Sequence, residues 1–123
     1  MKVFVFEYVT GGGFASMALP EFLHDGEVMW QALVDDLRAL DGVDVLTLRD
    51  CRLPRPAMDK VEIIETEAHR FSEDYRHCLA RSDAVWPVAP EEAGILESLN
   101  QEILTAGKRL LGCQPDAVRI AAS

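Results

Sequence analysis

A carboxylate and a glycine loop lie close together near the N-terminus, where residues of these types could bind a small ligand. Glu7 follows the apolar run Val3–Phe6, and the segment Thr10–Gly13 contains three consecutive glycines. A glycine loop lets a ligand approach backbone N–H groups, or lets the loop close over the ligand. The same glycines would also serve a wide turn that needs positive φ angles, so both interpretations stay open at this point.

The spacing of the glycines limits what the loop could bind. It matches neither the GxGxxG pattern of dinucleotide-binding loops nor the GxxxxGK[ST] pattern of phosphate-binding loops. The sequence therefore does not support a complete nucleotide site, and a small nucleotide-binding domain is disfavoured.

Two glutamates have both a functional and a structural interpretation. Glu7 ends a run that should be buried, where an unpaired carboxylate is costly. It would either receive a cationic group of a ligand or turn outward as the strand ends. Glu91 and its neighbour Glu92 open a predicted helix, where acidic side chains are favoured by the helix dipole alone.

The histidines and cysteines do not form a recognisable catalytic or metal-binding pattern. His69 and His77 are eight residues apart, too far along a straight helix to bind one metal ion, and Cys78 points elsewhere. His24 could contact a ligand, but nothing near it completes a catalytic pair. No nucleophile motif of the GxSxG or Cys–His kind is present, so we expect no metal site.

Strand-like and helix-like segments alternate along the chain. Runs rich in β-branched and apolar residues predict five strands: Val3–Phe6, Val43–Leu48, Val61–Thr66, Asp83–Val88 and Lys108–Gly112. Pro87 lacks a donor N–H, so we expect the strand ladder to weaken or end there.

Apolar residues at helical spacing predict three amphipathic helices between these strands. The first begins with an N-cap at Asp25 and ends near Leu40; its buried stripe is Met29, Leu33, Leu37 and Leu40, widened by Trp30 and Val34. The second contains Phe71, Tyr75, Cys78 and Leu79. The third runs from Pro90 to Ala106–Gly107, with Ile95, Leu99 and Ile103 on one face. Shorter helical stretches are predicted around Ser16–Phe22 and after Pro115.

This alternation predicts an α/β three-layer sandwich with a mostly parallel five-stranded sheet and helices on both faces. With the strand order 3-2-1-4-5, the first and fourth strands are central neighbours whose connections run in opposite directions. Ligands bind in the crevice at such a switch point. The loops Tyr8–Gly13 and Ala89–Glu92 would flank this crevice.

Composition limits the classes of partner. The chain has 123 residues, enough for one domain, and a net charge of −9. This charge would repel a phosphate backbone, so we do not expect nucleic-acid binding. The sequence also contains no polybasic patch that could bind a membrane surface. No apolar run approaches the roughly 20 residues of a membrane-spanning helix, and no signal peptide is recognisable. Three widely spaced cysteines favour reduced thiols in a cytoplasmic protein.

Four segments carry a resemblance to a known family: FEYVTGGG, DGEVM (25–29), DAVWPVAPEE (83–92) and AGKRLLGCQPDAVRIAAS (106–123). They resemble the N-terminal domain of ATP-grasp ligases, nearest to the tyramine–glutamate ligase-like branch of methanofuran-type cofactor biosynthesis. The resemblance covers essentially the whole chain. It implies that residues 1–123 form a single Rossmann-like pre-ATP-grasp domain, the piece that precedes the two lobes clamping ATP and magnesium.

The resemblance also implies a division of labour. This chain would bind substrate and hold no cofactor, while ATP and Mg belong to C-terminal ATP-grasp domains of the same polypeptide. The substrates would be a small-molecule carboxylate and an amine, joined through an acyl phosphate. The substrate-binding residues implied are Glu7, Thr10, Gly11, Gly12, Gly13 and Glu91.

Two hypotheses remain. In the first, the chain is a fragment of such a ligase and is inactive alone; surface normally covered by the missing domains would then allow it to pair as a homodimer. In the second, it is a stand-alone flavodoxin-like binding or assembly module.

Overall fold

The structure is a computed structural model that describes residues 1–90 and 94–112. Within these residues the chain forms five strands and three helices, with a helix after the first, third and fourth strands. The strands are β1 (Lys2–Glu7), β2 (Asp44–Asp50), β3 (Val61–Thr66), β4 (Ala84–Val88) and β5 (Arg109–Leu110). The helices are α1 (Leu23–Arg38), α2 (Phe71–Arg81) and α3 (Ile95–Thr105).

The sheet has the predicted order, β3-β2-β1-β4-β5, and its described pairs are all parallel. The predicted fold class is therefore confirmed. β1 lies at the centre, between β2 and β4, so its carboxyl end opens at the switch point.

Helices cover both faces of the sheet, and each face has its own apolar core. Side chains alternate along β1, so that Phe4 and Phe6 face α2 and α3 while Val3 and Val5 face α1. The predicted α2 stripe is confirmed: Tyr75, Cys78 and Leu79 are buried, and burial raises the pKa of the Cys78 thiol to about 12. The ring of Tyr75 lies 4.9 Å from that of Phe6.

The first helix differs from its prediction in both its start and its buried face. It begins at Leu23, so Asp25 lies in its first turn and is not the N-cap. Met29 and Leu40, predicted to be buried, are each 52% exposed. The buried residues are Gly26, Trp30, Val34 and Leu37. The buried face is therefore centred on Trp30 and Val34, because the large indole fills the space above β1 and β2.

The segment predicted as a short helix, Ser16–Phe22, forms turns and irregular backbone instead. Pro20 lies in its middle and cannot donate a helical hydrogen bond. Two turn hydrogen bonds use backbone groups that precede Pro20. The Ala15 N–H donates to the Gly12 carbonyl, and the Met17 N–H donates to the Phe14 carbonyl.

The β4 ladder does not end at Pro87. Phe6 pairs with Pro87, Glu7 pairs with Val88, and the Tyr8 N–H donates to the Val88 carbonyl over 2.8 Å. The Val85 carbonyl accepts from Leu111 on the β5 side. Since alternate strand residues point to opposite neighbours, the missing N–H of Pro87 would also point to the β5 side, beyond the end of β5.

Several other predicted boundaries shift by one or more residues. β2 continues two residues past Leu48. β5 is limited to Arg109–Leu110. The last helix begins at Ile95, after Gly94 with a φ of 68°, and not at Pro90. The predictions for Glu91, Glu92, Cys113 and the stretch after Pro115 fall outside the described residues.

Within residues 1–90 and 94–112, no helix is long and apolar enough to cross a membrane.

A buried hydroxyl joins the two layers on the α1 side, and its removal tests this packing. The Thr47 hydroxyl accepts from the Trp30 indole N–H over 2.9 Å and donates to the Val5 carbonyl over 2.8 Å. We expect Thr47→Val to lower the free energy of unfolding by about 1–3 kcal/mol, because the indole N–H loses its partner. Thr47→Ser keeps the hydroxyl and serves as the control. Urea unfolding that shows Thr47→Val as stable as the native chain would contradict this role.

Candidate functional site

Polar side chains end the three strands on one half of the sheet, at its carboxyl edge. Glu7 ends β1, Asp50 ends β2 and Thr66 ends β3, and all three are almost completely buried. Buried polar groups need hydrogen-bond partners. The segment from Tyr8 to Met17, which we call the glycine loop, supplies the partners of the Glu7 carboxylate, and its Thr10 carbonyl accepts the backbone N–H of Asp50.

Glu7 does not turn outward. Its side chain is 3% exposed, and its carboxylate accepts the Val9 N–H at 3.2 Å and the Thr10 N–H at 2.7 Å. Burial raises the pKa of Glu7, against the lowering effect of these hydrogen bonds, and the neighbouring Glu27 raises it further. Glu7 therefore holds the start of the glycine loop in place.

The first helix approaches Glu7 closely because Gly26 has no side chain. A Cβ atom at this position would lie 2.7 Å from the Glu7 Oε1 and 3.3 Å from the Val9 Cβ. Glu7, the glycine loop and α1 are consequently packed against one another at the carboxyl edge.

The three consecutive glycines are packed down onto the edge of the sheet. The Gly11 N–H donates to the Glu7 carbonyl and the Gly13 N–H to the Tyr8 carbonyl, each over 2.8 Å. A Cβ atom would meet the Glu7 carbonyl oxygen at 2.6 Å from Gly11, the Thr66 methyl at 2.7 Å from Gly12, and the Tyr8 ring at 2.4 Å from Gly13. Close packing thus accounts for all three glycines.

Thr10 lies at the centre of the glycine loop. Its carbonyl accepts the Asp50 N–H over 2.7 Å, which ties the loop to β2. Its hydroxyl is buried near the Glu7 carboxyl, yet it makes no hydrogen bond of normal geometry to any described residue. The hydroxyl lies against the Glu7 carboxyl, and its interaction with that carboxyl lowers the pKa of Glu7.

The glycine loop does not fit a phosphate group. A phosphate cradle requires several backbone N–H groups that point at one anion. Here the amides of Val9, Thr10 and Gly11 already donate to Glu7, and that of Gly13 donates to Tyr8. In the part of the chain that the structure describes, no group of three or more His, Cys, Asp or Glu side chains is arranged to hold a metal ion.

Arg52 clamps the second half of the glycine loop to β2. It donates to both Asp50 carboxylate oxygens, and also to the carbonyls of Phe14 at 3.0 Å and Met17 at 2.6 Å. Burial opposes the ionisation of Asp50, but the hydrogen bonds from Arg52 outweigh it and hold the pKa of Asp50 below its ordinary value. The pair therefore fixes the loop by charge-assisted hydrogen bonds.

A second arginine, Arg49, lies on the α1 side of the same edge and, unlike Arg52, is buried. The guanidinium of Arg49 donates to both carboxylate oxygens of Glu27, over 2.7 and 2.8 Å, and to the Pro54 carbonyl. Its Cζ lies 4.3 Å from the centre of the Trp30 ring. These contacts connect β2, α1 and the loop that follows β2.

The structure thus brings Glu7, Thr10 and the three glycines together, as predicted for one loop. Glu91 lies outside the described residues. The three histidines are exposed; His24 lies in the first turn of α1, and His69 lies 3.5 Å from Glu67. The residues that sequence reasoning missed are Gly26, Glu27, Arg49, Asp50 and Arg52. Glu7 was singled out because it directly follows a buried apolar run. Arg49 and Asp50 directly follow the second apolar run, so the same signal could have identified them.

Comparison with known proteins identifies the family. A family model described as the pre ATP-grasp 3 domain matches residues 43–118, more than half of the chain. The chain belongs to the pre-ATP-grasp 3 domain family. The resemblance expected from the sequence is therefore confirmed, and the carboxyl edge described above belongs to a pre-ATP-grasp domain.

Two curated relatives align with nearly the whole pre-ATP-grasp domain. The tyramine–L-glutamate ligase of Methanocaldococcus fervens is 24% identical over 122 residues, which are 97% of this chain and 41% of the relative. The tyramine–L-glutamate ligase of Methanocaldococcus jannaschii is 27% identical over 122 residues, again 97% of this chain and 39% of the relative. The chain thus spans about two fifths of the length of these relatives.

A solved structure shares the fold of the pre-ATP-grasp domain. The crystal structure of a protein described as belonging to the ATP-grasp superfamily, from Archaeoglobus fulgidus, superposes with a TM-score of 0.67 and 17% identity. The likeness covers 93% of this chain and 33% of that one. At this identity it supports the α/β fold alone.

The pH dependence of stability tests the burial of Glu7. Because the folded-state pKa is raised above 4.5, the native protein holds this proton more tightly than the unfolded chain. The stabilising contribution of the protonated carboxyl is complete below pH 4.5 and is lost as the pH rises through the raised pKa. We expect the stability of the native chain relative to Glu7→Gln to fall across this window in urea unfolding. A difference that does not change with pH would contradict it.

A pair of glycine substitutions tests the packing of the glycine loop. Gly12 has a φ of 102° and no room for a Cβ atom, whereas Gly42 has a φ of 77° and nothing within 4 Å. We expect Gly42→Ala to cost about 1 kcal/mol of stability from backbone strain alone. Gly12→Ala should cost about 3 kcal/mol, because steric overlap adds to the strain. Equal losses in thermal or urea unfolding would show that the loop is not packed as described.

Proposed function

We propose that this chain is the substrate-binding N-terminal domain of an ATP-dependent carboxylate–amine ligase. The observation that carries the proposal is the membership of the pre-ATP-grasp 3 domain family, together with alignment of 97% of the chain to two tyramine–L-glutamate ligases. These relatives are more than twice as long as the chain, so the remaining parts of such a ligase would lie in ATP-grasp domains of the same polypeptide.

The proposed reaction has two steps. ATP transfers its terminal phosphoryl group to a substrate carboxylate, which gives ADP and an acyl phosphate. The nitrogen of an amine then attacks the acyl carbon, a C–N bond forms, the C–O bond to phosphate breaks, and the amine loses a proton. ATP and Mg would be bound by the ATP-grasp domains, consistent with a glycine loop whose amides are already used.

The carboxyl edge would supply one wall of the substrate pocket. In this proposal Thr10, Gly11, Gly12 and Gly13 face the substrate, Glu91 lies opposite, and Glu7 acts as a positioning residue that fixes the loop. The Thr10 hydroxyl supports this assignment, because it is buried at the carboxyl edge beside the Glu7 carboxyl and has no hydrogen-bond partner of normal geometry among the described residues. The net charge of −9 suits a substrate that carries an ammonium group.

Removal of the Arg52 clamp tests the role of the glycine loop in substrate binding. In a ligase polypeptide that joins this domain to its ATP-grasp region, we expect Arg52→Ala to raise the KM of the amine or the carboxylate roughly tenfold, because the loop carbonyls lose their donor. The KM for ATP should stay unchanged. Tyramine and L-glutamate, named by the two relatives, form the first substrate pair to assay.

Arg81→Ala is the matched control for Arg52→Ala. Arg81 also makes a two-pronged ion pair, with Glu62, but it is remote from the glycine loop. It should leave all KM values unchanged. Equal effects of the two variants, or an effect of Arg52→Ala on ATP alone, would reject the substrate-binding role. ADP production by residues 1–123 alone, with both substrates and ATP present, would reject the division of labour between domains.

A further inference from the structure

Large apolar side chains remain exposed beside the glycine loop. They belong to the second half of that loop and to the start of α1, and we call them the apolar surface: Phe14, Met17, Phe22 and Met29. Met17 is 59% exposed, Phe22 42% and Met29 52%. Contiguous exposed apolar patches on soluble proteins mark interaction sites. Phenylalanine and methionine are also enriched in protein interfaces.

The members of the apolar surface are neighbours in space. The Met17 N–H donates to the Phe14 carbonyl over 3.0 Å, and the ring centres of Phe14 and Phe22 are 6.0 Å apart. Met29 follows Phe22 by about two helical turns, so the two lie on the same side of α1. Arg52 holds the carbonyls of Phe14 and Met17. The loop half of the surface is therefore fixed before any partner binds, which lowers the entropic cost of an interface.

The sequence of this region is typical of a buried segment. No charged residue occurs between Glu7 and Glu21, although 27% of the chain is charged. The helical repeat predicted that Met29 would be buried, whereas α1 packs Trp30 onto the sheet and leaves Met29 exposed. The first helix thus carries apolar residues on a second face, and an amphipathic helix of that kind is suited to packing against a second body.

Acidic side chains border the apolar surface and bear on which partner covers it. Glu21 precedes Phe22, Asp25 lies in the first turn of α1, and both carboxylates are exposed. Two copies of this chain that paired through this surface would bring the same carboxylates together, with a net charge of −9 on each copy. Like charges oppose that pairing, whereas a partner with basic residues around an apolar centre is attracted.

The position of the last strand also bears on the partner. β5 pairs with β4 in the same direction as β4 pairs with β1, so the carboxyl end of β5 lies at the edge that carries the glycine loop. The two tyramine–L-glutamate ligases are more than twice as long as the part they share with this chain. In the proposed function the additional length contains the ATP-grasp region, which completes the substrate pocket at this edge.

We propose that the apolar surface is the docking site of the ATP-grasp region of the same polypeptide. The matching face of that region is apolar at its centre and carries Lys or Arg side chains opposite Glu21 and Asp25. The inference rests on the proposed function, which supplies the ATP-grasp region. It assigns the contact between the domains to residues outside the set predicted to bind substrate.

Oxidation of the methionines by hydrogen peroxide, followed by mass spectrometry, tests the docking. Met1, Met17 and Met29 are similarly exposed, at 50%, 59% and 52%, and Met1 lies at the opposite edge of the sheet because it precedes β1. All three should form sulfoxide at similar rates in the 123-residue chain. In a polypeptide that includes the ATP-grasp region, we expect oxidation of Met17 and Met29 to slow by roughly fivefold or more, and that of Met1 by less than about twofold.

Three results would overturn the proposal. Unchanged rates at Met17 and Met29 in the longer polypeptide would show that nothing covers the apolar surface. Equal slowing of Met1 would show that the protection is not local to this surface. Slowing of Met17 and Met29 in the 123-residue chain as its concentration is raised would show that a second copy is the occupant.

A pair of substitutions tests whether apolar contact holds the two domains together. Met29 and Leu104 are both exposed apolar residues on helices, but Leu104 belongs to α3, on the opposite face of the sheet. In the longer polypeptide we expect Met29→Lys to return the oxidation rate of Met17 to within about twofold of its rate in the 123-residue chain, because an ammonium group buried without a partner breaks the contact. Leu104→Lys should leave the slow rate unchanged.

Both substitutions should leave the 123-residue chain folded, because the two positions are exposed and lysine is a good helix former. Urea unfolding of the short chain checks this. The same change of the Met17 rate in both variants of the longer polypeptide, or a change in neither, would overturn the role of the apolar surface.

The docking and the proposed function can fail separately, because oxidation is measured without ATP or substrates. A longer polypeptide without ligase activity in which Met17 and Met29 are protected would reject the ligase and leave the docking standing. Conversely, an active ligase in which both methionines oxidise as fast as in the 123-residue chain would reject the docking alone.

Discussion

The arrangement of the carboxyl edge depends on one buried carboxylate at the end of the central strand. Glu7 accepts the amides of Val9 and Thr10 in the glycine loop, and Gly26 allows α1 to approach the Glu7 carboxyl without a side chain in between. Burial of this carboxyl is costly, which its raised pKa reflects. The loop hydrogen bonds offset part of that cost, so strand end, loop and helix are fixed together.

Two arginines at the end of β2, the strand beside β1, make different contacts at the carboxyl edge. Arg49 lies in β2 and Arg52 follows it. Arg52 pairs with Asp50 and reaches the carbonyls of the glycine loop, whereas Arg49 pairs with Glu27 and reaches the loop after β2. Consecutive strand residues point to opposite faces, and the neighbours Arg49 and Asp50 accordingly serve opposite sides of the edge. The end of β2 therefore helps to fix both the glycine loop and the contact between α1 and the loop after β2.

Some strands and helices could be predicted from the sequence, because the residue pattern that indicates them lies within the element itself. The run Val3–Phe6, buried on both faces, predicted a central parallel strand, and the spacing of Tyr75, Cys78 and Leu79 predicted the buried stripe of α2. The predicted buried stripe of α1 was wrong in part, because apolar residues lie at neighbouring positions of this helix and only some of them face the sheet. Met29 and Trp30 both fit a helical repeat, and only the shape of the sheet below decides that the indole is buried.

Sequence patterns alone predicted the alternation of strands and helices and the loop after the first strand, because periodicity and the glycine run are properties of neighbouring residues. The family followed from a resemblance to ATP-grasp ligases, and the order of the strands within the sheet was a supposition that the structure confirms. Tertiary structure alone decided what that loop does with its amides and which side chains meet at the carboxyl edge. Glu7 touches Gly26, and Arg49 meets Glu27, across 19 and 22 residues of sequence. Such contacts depend on how α1 packs on the sheet, and this packing cannot be read from the pattern of neighbouring residues in the sequence.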